Sequence, residues 1–349
     1  MQGVTEEVSQ TGQERLDRAL AAYLDRTEFT ATLEIASAGE AGSAGKTTSA
    51  VTFVSMLAQM GFDVELMDLD GQGNASKHLG IGVSPYPDDK LLDPAGDYPP
   101  PLVLGDALLE RKALFPGDSE ERVITLNDIR RCAYNESGIP GYGVITDDED
   151  AIEWLKRIHV YPNGPSYISG AQRDFYQDEA DLSSDPFAGM VLSGKMDDVN
   201  TAPHFRIYDL HGTKSISMMS ALVRVQRVFN CVLLDDKTTG VDLDHLKQTI
   251  AGMTKLNKKL ALAMILPCRV KAASQRGLHG REMLARLRER HGPLVADVEI
   301  REAVTVSEAY AAREPLPLWV SRDPVMDDYR EALAWALDSG MLDPPGQPR

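Results

Sequence analysis

No apolar run in this chain approaches the roughly 18–20 residues that a membrane-spanning helix needs. The N-terminal stretch is polar and acidic, so a secretory leader is not expected there. Cysteine is scarce: Cys132, Cys231 and Cys268 lie far apart and without metal-type spacing. They read as reduced core or surface thiols of a cytosolic protein. Positive charge is also short, with 36 lysines and arginines against 53 acids and a formal net charge of −17. That balance speaks against a strongly basic nucleic-acid binder but leaves a local basic surface open. No internal repeat is visible, and the N-terminal segment carries no pair of helices suited to reading DNA.

What remains is an ordinary globular composition, 43% hydrophobic and 26% charged over 349 residues. This is enough for one large or two modest domains. Basic residues gather in one block, where Arg269, Lys271, Arg276, Arg281, Arg286, Arg288 and Arg290 stand against only Glu282 and Glu289. Two readings are open for it: a solvated helix face, or a surface that neutralises DNA phosphates without reading bases.

Two short segments carry most of the functional information. The first is Glu40-Ala41-Gly42-Ser43-Ala44-Gly45-Lys46-Thr47-Thr48, between an expected strand at 32–36 and an expected helix at 47–60. Strand, glycine-containing loop and helix in that order form a phosphate-binding loop. Gly42 and Gly45 permit close approach of backbone N–H groups, Lys46 supplies an ammonium for the β- and γ-oxygens, and Thr47 offers a hydroxyl to Mg²⁺. The general pattern has a glycine where Glu40 stands, so the Glu40 carboxylate must turn away from bound phosphates or the loop must be re-formed. A glycine-rich turn that binds nothing is the plain alternative.

The second segment lowers that alternative. An expected strand at 64–68 begins about one βα unit later and runs into Asp68-Leu69-Asp70-Gly71-Gln72-Gly73-Asn74-Ala75, followed by Leu79-Gly80-Ile81. Here the chain resembles the ParA/MinD family of deviant P-loop ATPases, and within it the ParA branch. That branch shows Gly-Lys-Thr-Thr, then Asp-x-Asp-Pro-Gln-Gly-Asn-Ala and Leu-Gly-Ile; Gly71 replaces the usual proline. Downstream, Phe205-Arg206-Ile207-Tyr208-Asp209 looks like the Walker B strand, and Val304-Thr305-Val306-Ser307-Glu308-Ala309 like a Val-Arg-Leu-Ser-Glu-Ala segment. The resemblance covers about residues 30–82 and 203–320. The family's iron–sulfur reductases fit poorly, because paired cluster-ligand cysteines are missing.

The resemblance implies ATP/ADP and Mg²⁺ as cofactors and slow, partner-stimulated ATP hydrolysis. Nucleotide contacts would come from Gly42, Ser43, Ala44, Gly45, Lys46, Thr47 and Thr48. Thr47 and Asp209 would hold the metal, with Asp68 on metal-bound water, and Asp70 would orient the attacking water. A helix N-cap is the plain alternative for Asp70. The family's signature lysine, which reaches across a nucleotide-sandwiched dimer, is replaced by Ala41. Lys214, in the segment matching switch II, is the candidate substitute; a solvated loop lysine is the other reading. His211, where the family usually has proline, reads as a packing or capping residue. Implied partners are a second copy in the ATP state, non-specific DNA through Arg269, Lys271, Arg276, Arg281 and Arg288, and a ParB-like or cargo-adaptor protein. Membrane cycling is disfavoured, because the C-terminus lacks a basic amphipathic helix. The expected location is cytoplasmic, on the nucleoid. A degenerate ATP-binding scaffold is the competing reading, supported by Glu40, Ala41 and Gly71.

Strands alternating with helices predict a doubly wound, mainly parallel α/β sheet flanked by helices. The expected organisation is a helical extension at 1–29, a P-loop ATPase domain at 30–325 elaborated at about 83–202, and a C-terminal helix and tail at 326–349. Within the elaboration, 124–132 and 148–158 have helical character and 182–200 reads as a polar lead-in to the Walker B strand. Segments 294–300 and 316–320 are late strand candidates.

Overall fold

The protein is described here by a computed structural model over residues 2–345, except 41, 43, 83–101, 116–117, 139–140, 165–174, 184–186, 213–214 and 272–276. Three strands, β1 (Leu33–Ser37), β2 (Val64–Leu69) and the later Phe205–Leu210, are buried at every position. Burial on both faces is what near-continuous apolar runs specify in parallel sheets. In chain order the elements are α1 (Gln2–Arg26), β1, α2 (Lys46–Gln59), β2, α3 (Asn74–His78), α4 (Leu104–Leu108), β3 (Lys112–Ala113), β4 (Arg122–Val123), α5 (Leu126–Ile129), β5 (Arg131–Cys132), α6 (Glu149–Leu155), β6 (Ile158–Tyr161), α7 (Phe175–Leu182), α8 (Val191–Met196) and β7 (Phe205–Leu210). Then follow α9 (Ile216–Leu222), β8 (Arg227–Val232), α10 (Leu243–Met253), β9 (Ala261–Pro267), α11 (Leu278–His291), α12 (Val304–Ala312), α13 (Leu316–Trp319) and α14 (Pro324–Asp338).

Seven strands form one sheet in the order β5-β6-β2-β7-β1-β8-β9. All pairings in it are parallel except the edge strand β5. β1 lies between β7 and β8, so the chain leaves it toward α2 where the strand order reverses, the position at which open α/β sheets bind ligands. The expected doubly wound α/β fold is therefore the observed one.

Each face of the sheet has its own core. On one side α2 packs with α1, α6 and α14; Phe53 meets Phe229 and Tyr329 with ring centroids 5.5 and 6.2 Å apart. α2 is buried almost all round, as expected of a helix covered on both sides. On the other side α4, α5, α8, α9 and α10 cover Ala36, Met67 and Tyr208.

Three expectations are corrected. Segment 124–132 is helical only at α5, after which Arg131 and Cys132 pair antiparallel with β6. The stretch 182–200 contains a 3-10 turn at Ala188–Met190 and then α8, with Ala188, Leu192 and Met196 buried. Those three apolar residues stand four apart, a helical stripe thinned by polar neighbours. Neither late strand forms: Val295 and Arg301 make only isolated bridges, and Leu316–Trp319 is a helical turn behind Pro315. Pro315 and Pro317 remove backbone donors a strand would need and suit the start of a helix instead.

Candidate nucleotide-binding site

The loop after β1 closes on a left-handed residue. Gly45 has φ 95° at the N-cap of α2, and a Cβ there would sit 3.3 Å from the Cβ of Cys268. Any side chain would carry backbone strain as well as this tight contact. Lys46 is buried, Ala44 is buried, Thr47 and Thr48 are half-buried, and Gly42 is exposed. Ala41 and Ser43 lie outside the described residues.

Thr47 Oγ1 donates a 2.7 Å hydrogen bond to Asp209 Oδ2 at the carboxyl end of β7. The other oxygen, Asp209 Oδ1, is buried with no hydrogen-bond partner. Register brings Ser37, Asp68 and Asp209 side by side on the three central strands. Burial, and after it the neighbouring Asp68, pushes the Asp209 carboxyl up to about 8. Burial also raises Asp68, to about 6. A buried carboxylate with an orphaned oxygen, beside a second acid and a hydroxyl, is a place where a cation relieves both desolvation and repulsion.

Asp68 is more committed than its neighbour. Its Oδ2 accepts from the Ser76 amide at 2.8 Å and the Ser76 hydroxyl at 2.7 Å, and its Oδ1 accepts from the Asp70 amide at 3.2 Å. It thereby fastens α3 beneath the loop that carries Asp70. Asp70 is half-buried, and its Oδ1 accepts from the Gln72 amide at 2.9 Å, an Asx-type turn. Asp70 thus lies at the head of the loop leading to α3 rather than on that helix's N-cap, which is Gly73.

Long-range contacts that no local pattern announces shape the rest. Glu40, the residue that breaks the general loop pattern, places Oε2 3.2 Å from His245 Nδ1 on α10. Its carboxylate is engaged sideways by the helix. Asn230 on β8 donates through Nδ2 to the Ala38 carbonyl, tying the start of the loop to the neighbouring strand. Ser49, one turn into α2, lies between Cys231 Sγ at 3.4 Å and Tyr329 Oη at 3.2 Å. The loop is thus held from β8 and α10, and the first turn of α2 from β8 and α14.

The basic block is only partly available. Arg269 pairs with Glu302 at 3.1 Å, Arg288 with Glu299 at 3.0 Å and Arg290 with Asp244 at 2.8 Å. Lys271, Arg281 and Arg286 are exposed. Arg276 and Lys214 lie outside the described residues.

A family model described as the CobQ/CobB/MinD/ParA nucleotide binding domain matches residues 35–316. Over 47 residues the chain is 49% identical to the chromosome-partitioning ATPase Soj of Thermus thermophilus. That stretch spans 14% of this chain and 19% of the relative, so it covers about a fifth of Soj. Among solved structures, McdA of Cyanothece in an ATP complex superposes with a TM-score of 0.61 at 13% identity, covering 88% of this chain and 97% of that one. A plasmid partition protein of Borrelia burgdorferi bound to AMPPNP gives 0.55 at 13% identity, over 85% and 98%. At these identities the structural likeness establishes the fold alone.

Proposed function

The chain belongs to the CobQ/CobB/MinD/ParA nucleotide-binding family, and on that basis we propose that it is a ParA-like ATPase that binds ATP·Mg²⁺ and hydrolyses it slowly until a partner intervenes. The observation that carries this reading is the Thr47–Asp209 hydrogen bond at the N-terminus of α2, with Lys46 buried beside it and Asp209 Oδ1 left without a partner. Thr47 and Asp209 are the residues that would hold magnesium. The ion would supply charge neutralisation for the triphosphate. Two protein oxygens are too few for a closed site, and they suit a metal that completes its shell with substrate phosphates and water.

Phosphoryl transfer to water asks the protein for positioning and charge, with little covalent chemistry. Backbone N–H groups of Gly45, Lys46 and Thr47, at the N-terminus of α2, would face the phosphates. Lys46 spans the β- and γ-oxygens. Asp70 orients the attacking water from the loop before α3. The 3.2 Å approach of Glu40 Oε2 to His245 Nδ1 gives that carboxylate a partner on α10 and supports the reading that it need not face bound phosphate. In this reading the ATP-bound form dimerises, associates with DNA through the basic block, and serves to partition DNA or position a cargo.

Isothermal titration with ATP·Mg²⁺ and phosphate-release kinetics test the central assignment. Lys46→Ala is expected to lose ATP binding. Asp70→Ala is expected to keep ATP and stop turnover. Equal turnover in wild type and Asp70→Ala would remove the water-orienting role, and ATP binding unaffected by Lys46→Ala would remove the site itself.

A further inference from the structure

Under α10 and α11 lies a small apolar core, in which Leu243 of α10 and Leu287 of α11 pack with Val232, Ile265 and Val295. Four residues further along each helix stand Lys247 and His291, a spacing that keeps them near the same faces. Lys247 Nζ lies 2.6 Å from His291 Nδ1. His291 is buried and Lys247 half-buried. A lysine ammonium ordinarily reaches into water or onto a carboxylate. Here it rests on an imidazole at the edge of a core.

The nearby acid is engaged elsewhere. Asp244, three residues before Lys247 on α10, accepts from Arg290 Nη2 on both carboxylate oxygens, at 3.0 and 2.8 Å. Among the described residues the hydrogen-bond partner of the Lys247 ammonium is His291 alone. The charged and titratable groups that face it are Asp244 on its own helix and Arg290 and His291 on α11. Burial first, and then the Arg290 guanidinium, hold Lys247 below the ordinary lysine range, against the weaker opposing pull of Asp244. Burial and then Lys247 lower His291 as well. Its Nε2 is buried without a partner, so a cationic ring would find no acceptor there. The imidazole therefore stays neutral and serves Lys247 as an acceptor.

An amine attacks carbonyl carbon only when neutral, and a lysine is activated by desolvation or by a neighbouring cation. Both conditions meet at Lys247. An ordinary lysine is neutral in only about one molecule in two thousand near pH 7, and each unit by which its proton is loosened raises that fraction about tenfold.

We propose that Lys247 is a modification site, acylated on Nζ by small activated acyl groups of the acyl-phosphate class. The amine nitrogen bonds to the acyl carbon, the bond from that carbon to the phosphate oxygen breaks, and the phosphate leaves with the proton that the amine sheds. No electron donor or acceptor is needed. The product is an uncharged amide, so the reaction removes the cation that α10 sets beside Arg290. The site is independent of the nucleotide-binding reading above.

Treatment of the full-length protein with acetyl phosphate across a range of pH, read by peptide mass spectrometry, tests it. Lys247 is expected to be acetylated at least about tenfold faster near pH 7 than Lys255, Lys258 and Lys259, which are exposed just beyond α10. Two neighbouring variants should act in opposite directions. Arg290→Gln removes the repelling cation and frees Asp244 to pair with Lys247, so the rate at Lys247 should fall about tenfold and its pH profile should move up. Asp244→Asn removes the attracting acid, so the rate should rise and the profile move down. The three exposed lysines, measured in the same samples, should keep their rates. Acetylation of Lys247 no faster than theirs would overturn the site. A wild-type rate and pH profile at Lys247 in Arg290→Gln would overturn it too, as would a change in the same direction in both variants, which would mark the contact as packing alone.

Discussion

Arg206 is 4% exposed near the start of β7, with Glu34 of β1 and Glu65 of β2 in register on either side. It donates to Glu65 at 2.8 Å and to Glu34 at 3.2 Å, while Arg224, Tyr208 and Arg130 occupy the remaining carboxylate oxygens. Burial alone would raise the Glu65 carboxyl, but Arg206 above all holds it below its ordinary value. Removing one partner of such a group leaves uncompensated buried charge. Arg206→Ala is expected to cost about 3–5 kcal/mol of stability, read by urea denaturation. Adding Glu34→Gln and Glu65→Gln to it should restore part of that loss; no recovery would show that packing, not charge, carries the effect. At this scale the positions of Lys46 and Thr47 at the start of α2 and of Asp209 near the end of β7 were legible, because a strand–loop–helix pattern and a strand-terminal aspartate are local patterns. The commitment of Asp68 to Ser76 and the turning of Glu40 toward His245 were not, since both partners are fixed by tertiary contacts. The strand cluster did leave a trace: Leu33-Glu34-Ile35, Val64-Glu65-Leu66 and Phe205-Arg206-Ile207 each place one charge inside a buried run.

Among the elements, α1 is the one whose role the chain order conceals. It lies along α14 and sends Leu16, Ala19 and Tyr23 into the core, and the Tyr23 hydroxyl donates to the Leu342 carbonyl at 2.5 Å. Arg15 adds an ion pair to Asp297 at 2.9 Å. α14 in turn reaches α2 through Tyr329 and Ser49. Burying Leu16 and Tyr23 is worth roughly 3–6 kcal/mol in sum. Deleting residues 1–26 is therefore expected to lower the thermal midpoint by about 6 °C or more. An unchanged midpoint in scanning calorimetry would show that α1 contributes nothing to the fold. The strands β1, β2 and β7 and the helix after β1 were legible from apolar runs and the motifs that bound them. The losses fell where signals were short or mixed: α8 has six residues, β5 has two, and the prolines around 316 turn an apolar run into a helix.

For the whole molecule, the proposed ATP-bound dimer would bring two triphosphates to one interface, where Ala41 would add no charge and Lys46 would be committed to its own nucleotide. In an Asp70→Ala background, which is expected to retain ATP, light scattering is expected to show dimers. Lys214→Ala should weaken dimerisation more than monomer ATP binding; an unaltered ATP-induced dimer mass would exclude Lys214 as the substitute. DNA association, if carried by the basic block, should fall steeply with salt. Charge reversal at the exposed Arg281 and Arg286 should hurt it more than reversal at Arg288, which already faces Glu299. Equal losses at all three would mean that the ion pairs open on DNA.

The spacing between the arginine–glutamate cluster and the acids Asp68 and Asp209 has a further consequence. Arg206 and Asp209, Glu65 and Asp68, and Glu34 and Ser37 are each three positions apart on paired strands, an odd step that puts each couple on opposite faces. Sliding β7 by one residue would swing Arg206 toward the α2 side, strand both glutamates, and pull Asp209 away from Thr47 at once. A misaligned sheet thus forfeits its buried charge balance and the Thr47–Asp209 contact in a single error. The far end of the sheet works as an alignment key, and a chain that has closed it has already aligned the strand ends that carry Asp68 and Asp209.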